Sequence, residues 1–435
     1  MAQASRVKRL IGLALLAAGL AAQAEPQPRI CPAGVPESIR CLGGQDSAGA
    51  FYLIAVPKDW QGVLVLHAHG GPELGAPQMT RVEEDLQRWS IVPRAGYAWA
   101  ASSYAKGGVA VHSAAEDLER LRKIALEALG PPKITLLHGQ SWGASVAAVG
   151  AETFTTGKPY DGVLLTSGVL GGGSRAYDFR LDLRVVYQYL CHNHPRPDEP
   201  QYPLWQGLPA ASALTAADLR QRANECLGLD KPAAARSPEQ ARKLKTLLAV
   251  VRIPERSVQS HLSWATFLFR DIATQRTGGA NVFGNLAAHY RGSDDDAALN
   301  AGVLRYAADP AAVARFAADA DPKGHIPIPV LDAHAIDDPT AFVEMENAFA
   351  QTMARAGHAD TLVQVFSDDH DHSYISDATY VALLEALVGW VSEGRKPTPA
   401  GVAQSCLKAQ LRFPSSCHVE PDYHPEPLDT RVTPR

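Results

Sequence analysis

Leu136-Leu137-His138-Gly139-Gln140-Ser141-Trp142-Gly143-Ala144-Ser145 is the stretch on which the fold turns. An apolar run stops in Gly-Xaa-Ser-Xaa-Gly, and small residues then lead into a helix-like segment. A buried strand that becomes a helix within two or three residues forces its apex residue into strained backbone geometry, where flanking side chains would clash. Glycine at 139 and 143 removes those clashes. The side chain of Ser141 is then expected to project above the sheet, beside the N-terminus of the next helix, where backbone N–H groups and the helix dipole favour developing negative charge. Such a position suits a nucleophile. The five-residue pattern is weak by itself and takes its weight from its setting: residues 133–137 are a strand candidate and residues 144–149 an apolar helix start.

On both sides of this turn apolar strands alternate with helices. Residues 50–57 and 62–69 read as strands, the second more completely apolar and ending in Gly70-Gly71-Pro72. Residues 80–95 have helical spacing, 97–102 form a short strand, and 111–129 an amphipathic helix closed by Gly130-Pro131-Pro132. After the Ser141 turn a helix continues towards Phe154, and a strand spans 161–167. This rhythm predicts a mostly parallel sheet with helices on both faces. It lapses between 171 and 327, a helix-rich stretch read as a large helical cap insertion. It resumes with strands at 328–334 and 361–366 and helices at 341–356 and 378–393. Trp264, Phe267 and Phe269 are read as core of the cap and Tyr104 as core of the sheet, the other reading being the lining of an apolar pocket.

The 435 residues carry a formal charge of −5, with 46% hydrophobic and 20% charged residues, as in ordinary globular proteins. A mildly acidic balance gives no reason to expect nucleic acid or an anionic membrane as partner. Residues 1–24 read as an export signal: Arg6, Lys8 and Arg9, an apolar run over 10–22, and Ala22-Gln23-Ala24 as a cleavage site. That run is too short and Ala-rich to serve as an anchor, and no later stretch approaches about 18 uninterrupted apolar residues. Loss of those three cations takes the formal charge from −5 to −8, and a periplasmic or secreted protein is expected. Cys31, Cys41, Cys191, Cys226, Cys406 and Cys417 all lie beyond the signal. An even count in an exported chain predicts three disulfides, and clustering favours Cys31 with Cys41, Cys191 with Cys226 and Cys406 with Cys417, each stapling a local excursion rather than the core. The remaining length exceeds one ordinary core. The expected division is a stapled leader at 25–49, a core at 50–170 and 328–395, the cap at 171–327, and a Pro-rich stapled tail at 396–435.

A serine hydroxyl is a poor nucleophile until a base takes its proton, and the base must itself be oriented. Two loops at carboxyl ends of strands offer the partners: Ala335-Ile336-Asp337-Asp338-Pro339, and Ser367-Asp368-Asp369-His370-Asp371-His372-Ser373. The order Ser, Asp, His is that of α/β-hydrolases, and the chain resembles that superfamily over roughly residues 50–395, with the cap between Ser167 and Ile328. Pro329-Val330-Leu331-Asp332-Ala333-His334-Ala335, with the loop after it, is similar to the family's segment in which a strand, a His-Gly-like pair and a short loop precede the acid, although Ala335 stands where glycine is usual. The resemblance implies Asp338 as the acid, with Asp337 second and Asp332 third. His372, followed by Ser373 and a helix ending in Leu387-Val388-Gly389-Trp390-Val391, resembles the end of exported esterase-like members, with His370 as the competing base. An oxyanion hole needs two N–H donors, for which Trp142 and the loop His69-Gly70-Gly71-Pro72 are the candidates, Gly71 first.

The resemblance implies hydrolysis of small or polymeric carboxylic esters through an acyl-enzyme at Ser141, without a cofactor. The His69-Gly70-Gly71-Pro72 loop and the Trp142 of the nucleophile motif are also similar to proline iminopeptidases, which leaves a serine aminopeptidase as the alternative. That enzyme needs cap carboxylates for a substrate amino terminus, and Glu225, Asp271 and Asp294 to Asp296 are the candidates. A non-catalytic binding protein of the same fold is a third reading, against which stand the retained Ser141, Asp338 and both loop histidines. The ligand types between Asp368 and His372 lack the spacing of a calcium or zinc site. His192 and His194, beside Cys191, read as part of a disulfide-anchored cap rather than as a zinc site.

Overall fold

The computed structural model describes residues 25–435, so the expected export signal lies outside the described residues. Nine strands make one sheet: β1 (Gln27–Arg29), β2 (Ile39–Gln45), β3 (Phe51–Pro57), β4 (Val63–Ala68), β5 (Ala98–Ser102), β6 (Ile134–Gln140), β7 (Gly162–Thr166), β8 (Val330–Ala335) and β9 (Leu362–Ser367). Their order is β1-β2-β3-β5-β4-β6-β7-β8-β9. Neighbours from β5 through β9 are parallel, while β1, β2 and β3 run antiparallel at one edge. Every residue of β4 is buried, because alternate side chains feed two cores: Leu64, Leu66 and Ala68 join one, Val63 and Val65 the other. That is how a sheet covered on both faces reads in sequence.

Helices α1 (Met79–Arg88), α2 (Ile91–Arg94), α3 (Val111–Leu129) and α4 (Trp142–Thr153) lie within the first half of the sheet. Between β7 and β8 come α5 (Gly173–Ala176), α6 (Phe179–Cys191), α7 (Ala216–Leu227), α8 (Pro238–Val251), α9 (Val258–Ser263), α10 (Phe269–Asp271), α11 (Asp296–Gly302) and α12 (Pro310–Ala320). The chain ends with α13 (Glu344–Arg355), α14 (Asp377–Glu393), α15 (Pro399–Ala409) and α16 (Leu428–Arg431). Leu118 and Leu121 of α3, Ala147 of α4 and Phe349 of α13 share one core with the cap. Val82 and Leu86 of α1, Ile91 of α2, and Leu383 and Leu387 of α14 form the other. This is the α/β-hydrolase fold with a helical cap inserted.

The cap holds its shape through local chemistry. Thr215 with Asp218, and Ser237 with Gln240, form capping boxes that satisfy the first N–H groups of α7 and α8. The Cys191–Cys226 disulfide ties α6 to α7. Phe269 stacks on Phe283 with ring centroids 4.5 Å apart in the cap core. His194 is buried, with Nε2 3.0 Å from Thr266 Oγ1. Between α9 and the segment before Thr277 the helix twice widens into π-helical turns, at Trp264–Leu268 and Ile272–Arg276.

Three segments differ from what the sequence suggests. The leader is not a surface appendage: β1 and β2 extend the sheet, and Cys41, bonded to Cys31, is buried in β2. A Cβ at Gly44 would come within 2.6 Å of Tyr52 Oη, so glycine here makes room for a ring from the neighbouring strand. The helix expected over 80–95 breaks at Trp89-Ser90 into α1 and α2. The tail also packs inward: Val402, Cys406 and Ala409 of α15 are fully buried, so the Cys406–Cys417 disulfide braces core rather than an excursion. The last residue, Arg435, gives both terminal nitrogens to Asp182 of α6, each at 3.0 Å. No described helix is long and apolar enough to cross a membrane.

Candidate active site

Ser141 sits at the turn from β6 into α4 with φ 57° and ψ −123°. A non-glycine residue held there is strained, and the surroundings must over-determine it. They do so through the flanking glycines. A Cβ at Gly143 would lie 2.5 Å from His69 O, and one at Gly139 2.7 Å from Ala144 Cα. The Ser141 N–H donates to Thr166 O at 2.9 Å, and its carbonyl accepts from Val169 N–H at 3.1 Å, which pins the apex to the end of β7.

Ser141 Oγ stands 2.8 Å from Nε2 of His372, and His372 Nδ1 stands 2.7 Å from Oδ2 of Asp338. The other oxygen of Asp338 accepts the N–H groups of Thr340 at 2.7 Å and Ala341 at 3.0 Å. Burial alone would raise this carboxyl, but the His372 and His334 imidazoles hold it well below the usual carboxylate range. It therefore stays ionised. The histidine loop is fixed from below: Gln140, next to Ser141, donates to Ser373 Oγ at 2.6 Å, and Tyr380 Oη donates to Ser373 O at 2.9 Å.

Behind Asp338 lies a second pair, His334 with Glu346. His334, at the end of β8, is fully buried, with Nε2 2.9 Å from Ala341 O and 3.5 Å from Asp338 Oδ2. Its Nδ1 is 2.5 Å from Oε1 of Glu346 on α13. Although burial would lower it, the Glu346 and Asp338 carboxylates raise the imidazole well above its usual range, so it is cationic. The sequence marks His334 at the end of a strand, as the histidine of a His-Gly-like pair, and gives no signal for Glu346.

The competing residues meet elsewhere. Asp337 and His370 pair with each other at 3.0 Å on the exposed rim, and Arg256 donates to the carbonyls of both, at 3.0 Å and 2.7 Å. Asp332 is buried, accepting from Gln364 Nε2 at 3.0 Å. Neither His370, Asp337 nor Asp332 is brought to Ser141. Among the described residues no group of three or more His, Cys, Asp or Glu side chains is placed to hold a metal ion.

A cleft of about 230 Å³ opens above Ser141 and His372, with Gly70, Gly71 and Trp142 on one side and Tyr177, Arg180 and Trp264 of the cap on another. Trp142 begins α4, where N–H groups have no partner within the helix, and Gly71 has φ 67°. Gly70 cannot carry a side chain, since a Cβ there would lie 2.8 Å from that of Ser141. Its carbonyl accepts from Arg81, which is held by Asp85 and Glu73 at 3.0 Å each. Tyr104 supports this loop from behind, stacked on His69 with centroids 4.1 Å apart. Of the four aromatic residues considered from sequence, Trp264 reaches the cleft and Phe269 is cap core.

Arg81, Arg88 and Arg180 line the cleft, and no described residue lining it is a carboxylate. The candidate amino-terminus ligands lie elsewhere. Glu225 pairs with Arg196 at the surface, Asp271 pairs with Arg276 at 3.4 Å, and Asp295 caps α11 while Asp296 accepts from Ser293. Asp294 is exposed. The sequence offers no sign of Arg180, one of two arginines in α6.

No protein-family model matches the chain. No curated protein matches it either. Among solved structures, the chain is similar to feruloyl esterase B from Aspergillus oryzae at 14% identity, over 86% of each chain, with a TM-score of 0.45. It is also similar to lipase A from Candida antarctica, at 10% identity over 87% of this chain and 84% of that one, with a TM-score of 0.43. A carboxyl esterase from Bacillus coagulans is 14% identical over 83% of this chain and all of its own, with a TM-score of 0.38. Likeness at this level concerns the chain trace alone.

Proposed function

We propose that the chain is an exported serine hydrolase that cleaves carboxylic esters through an acyl-enzyme. The observation that carries this reading is the unbroken row from Ser141 Oγ through His372 to Asp338, with both links under 3 Å. In the proposed reaction His372 Nε2 takes the hydroxyl proton as Oγ attacks the ester carbonyl, and Asp338 keeps the imidazole in the tautomer that can accept it. The N–H groups of Trp142 and Gly71 stabilise the oxyanion. The His372 proton then passes to the departing alkoxide, leaving an acyl ester on Ser141. A water, deprotonated by the same imidazole, attacks that ester and releases the acid with Ser141 restored.

Export is supported by the three disulfides, since such bonds persist in oxidising compartments. The cleft favours ester over amino-terminal peptide hydrolysis, because it presents arginines where an aminopeptidase needs carboxylates. The test is to assay p-nitrophenyl butanoate beside proline β-naphthylamide with the purified mature chain. Release of nitrophenol with no cleavage of the amide is expected; turnover of the amide alone would sink the ester reading.

A further inference from the structure

Arg180 lies in the first turn of α6, and its side chain reaches the same cleft as Ser141 and His372. It is only 5% exposed, and its Nε has no hydrogen-bond partner. Among the described residues it forms no ion pair; burial lowers it to about 10, and the one group opposing that is the Tyr177 phenol. Nε of Arg81 and of Arg184 is likewise without a partner and Arg184 forms no ion pair, but the terminal nitrogens of these arginines are engaged within the chain, as those of Arg180 are not. Arg184 donates to Thr266 Oγ1 at 3.0 Å and to a backbone carbonyl, Arg81 holds two carboxylates, and Arg435 holds Asp182. A guanidinium withdrawn from water without a counter-charge costs folding free energy that no ion pair within the described chain returns.

The aromatic setting holds this cation in place without neutralising it. The guanidinium carbon lies 4.6 Å from the Tyr177 ring centroid and 4.7 Å from that of Trp264, and both rings line the cleft. Cation–π contacts steady an arginine but leave its N–H donors free for an acceptor. Trp264 opens a π-helical turn, a distortion that recurs at functional sites. His261, packed edge-on against Trp264 and Phe179, is pulled down to about 3 by burial and by Arg180, so it supplies no second charge. Arg88 adds an exposed cation at the same cleft, and Arg81 is already neutralised by Glu73 and Asp85.

We propose that Arg180 is an anion subsite of the Ser141 cleft and that the preferred substrate is an ester carrying a free carboxylate, which the guanidinium binds in bidentate fashion. A carboxylate matches the planar fork of donors, and binding it supplies the counter-charge that the residues lining the cleft do not. The identity of the reaction rests on the esterase reading; the anion subsite does not.

The test uses the mature chain, Arg180→Leu and Arg180→Lys. Binding of glutarate and of neutral glutaramide is followed by tryptophan fluorescence. Hydrolysis is measured on two matched pairs: p-nitrophenyl hydrogen glutarate against p-nitrophenyl pentanoate, with the charge on the acyl side, and the pentanoate esters of 4-hydroxybenzoate against 4-hydroxybenzamide, with the charge on the alcohol side. The wild type is expected to bind glutarate over glutaramide and to favour the anionic member of one pair by at least about tenfold. Arg180→Leu should lower that preference by about 10- to 100-fold, and Arg180→Lys should restore part of it. The Leu variant should melt no lower than wild type, because it removes an uncompensated buried charge; a lowered melting point with an unchanged preference overturns the subsite. Should the Leu variant fail to fold, glutarate must still inhibit the wild type competitively where glutaramide does not, and absence of that difference overturns the proposal. Glutarate binding that depends on Arg180 without turnover of any ester keeps the subsite and rejects the esterase reading. Turnover of all four esters with no dependence of preference on Arg180 does the reverse.

Discussion

Asp338→Asn changes one atom of the hydrogen-bonded row and reverses its sense. In the wild type one oxygen of Asp338 is held by the N–H groups of Thr340 and Ala341, and the other faces His372 Nδ1 at 2.7 Å. The two backbone donors keep an oxygen on their side in the amide as well, so the new NH2 group is turned towards His372. A donor there requires Nδ1 to be bare, which moves the imidazole proton to Nε2, 2.8 Å from Ser141 Oγ. The base then meets the serine hydroxyl already protonated. The expected loss is about 10⁴-fold in kcat, or about 5.5 kcal/mol of transition-state stabilisation. KM should change little, because Asp338 is buried behind the histidine. Initial rates on p-nitrophenyl butanoate over a range of substrate concentrations spanning KM supply both constants, with Asp337→Asn as comparison. Since Asp337 pairs with His370 on the rim, that variant should stay within about twofold of wild type. If Asp338→Asn retains a tenth of kcat while Asp337→Asn loses most of it, the assignment of the acid is wrong.

Three further outcomes follow from the packing and the charges. Gly143→Ala drives a methyl group into the carbonyls of Ala68 and His69, so urea unfolding should show a loss of about 1–3 kcal/mol together with a collapse of activity. His334 is raised above its usual range by Glu346 and Asp338, against burial; its stabilisation is therefore complete below the unfolded value of about 6.5 and declines as pH rises towards the folded value. Urea midpoints should fall over that alkaline range in the wild type and fall less steeply in Glu346→Gln; parallel curves would refute the linkage. Removing Cys191–Cys226, with a separation of 35 residues, should cost more than removing Cys31–Cys41, with a separation of 10. Chain entropy gives about 4 against about 3 kcal/mol, and melting of the two double-alanine variants compares them.

What the sequence reveals follows from how local each constraint is. The Ser141 turn is legible because its requirement is met within five residues: two glycines whose missing Cβ atoms would strike Ala144, Ala68 and His69. The parallel strands are legible because two-sided burial leaves unbroken apolar runs such as Val63 to Ala68. The choice between His372 and His370, two residues apart in one loop, is not local; it depends on Gln140 and Tyr380 holding Ser373 from beneath. The leader's strands stay hidden because a short stretch bounded by Cys31 and Cys41 and rich in proline looks like a stapled excursion, and the pairing of β2 with β3 is not written in it. Glu346 on α13 and Arg180 on α6 belong to no local pattern, and only tertiary contacts single them out.

The most direct measurement is to treat the mature chain with a fluorophosphonate and locate the adduct by peptide mass spectrometry while following ester hydrolysis. A single phosphonylated residue, Ser141, appearing in step with loss of activity and absent from Ser141→Ala, is the predicted result. An adduct on another serine, or full hydrolysis by Ser141→Ala, would contradict the account.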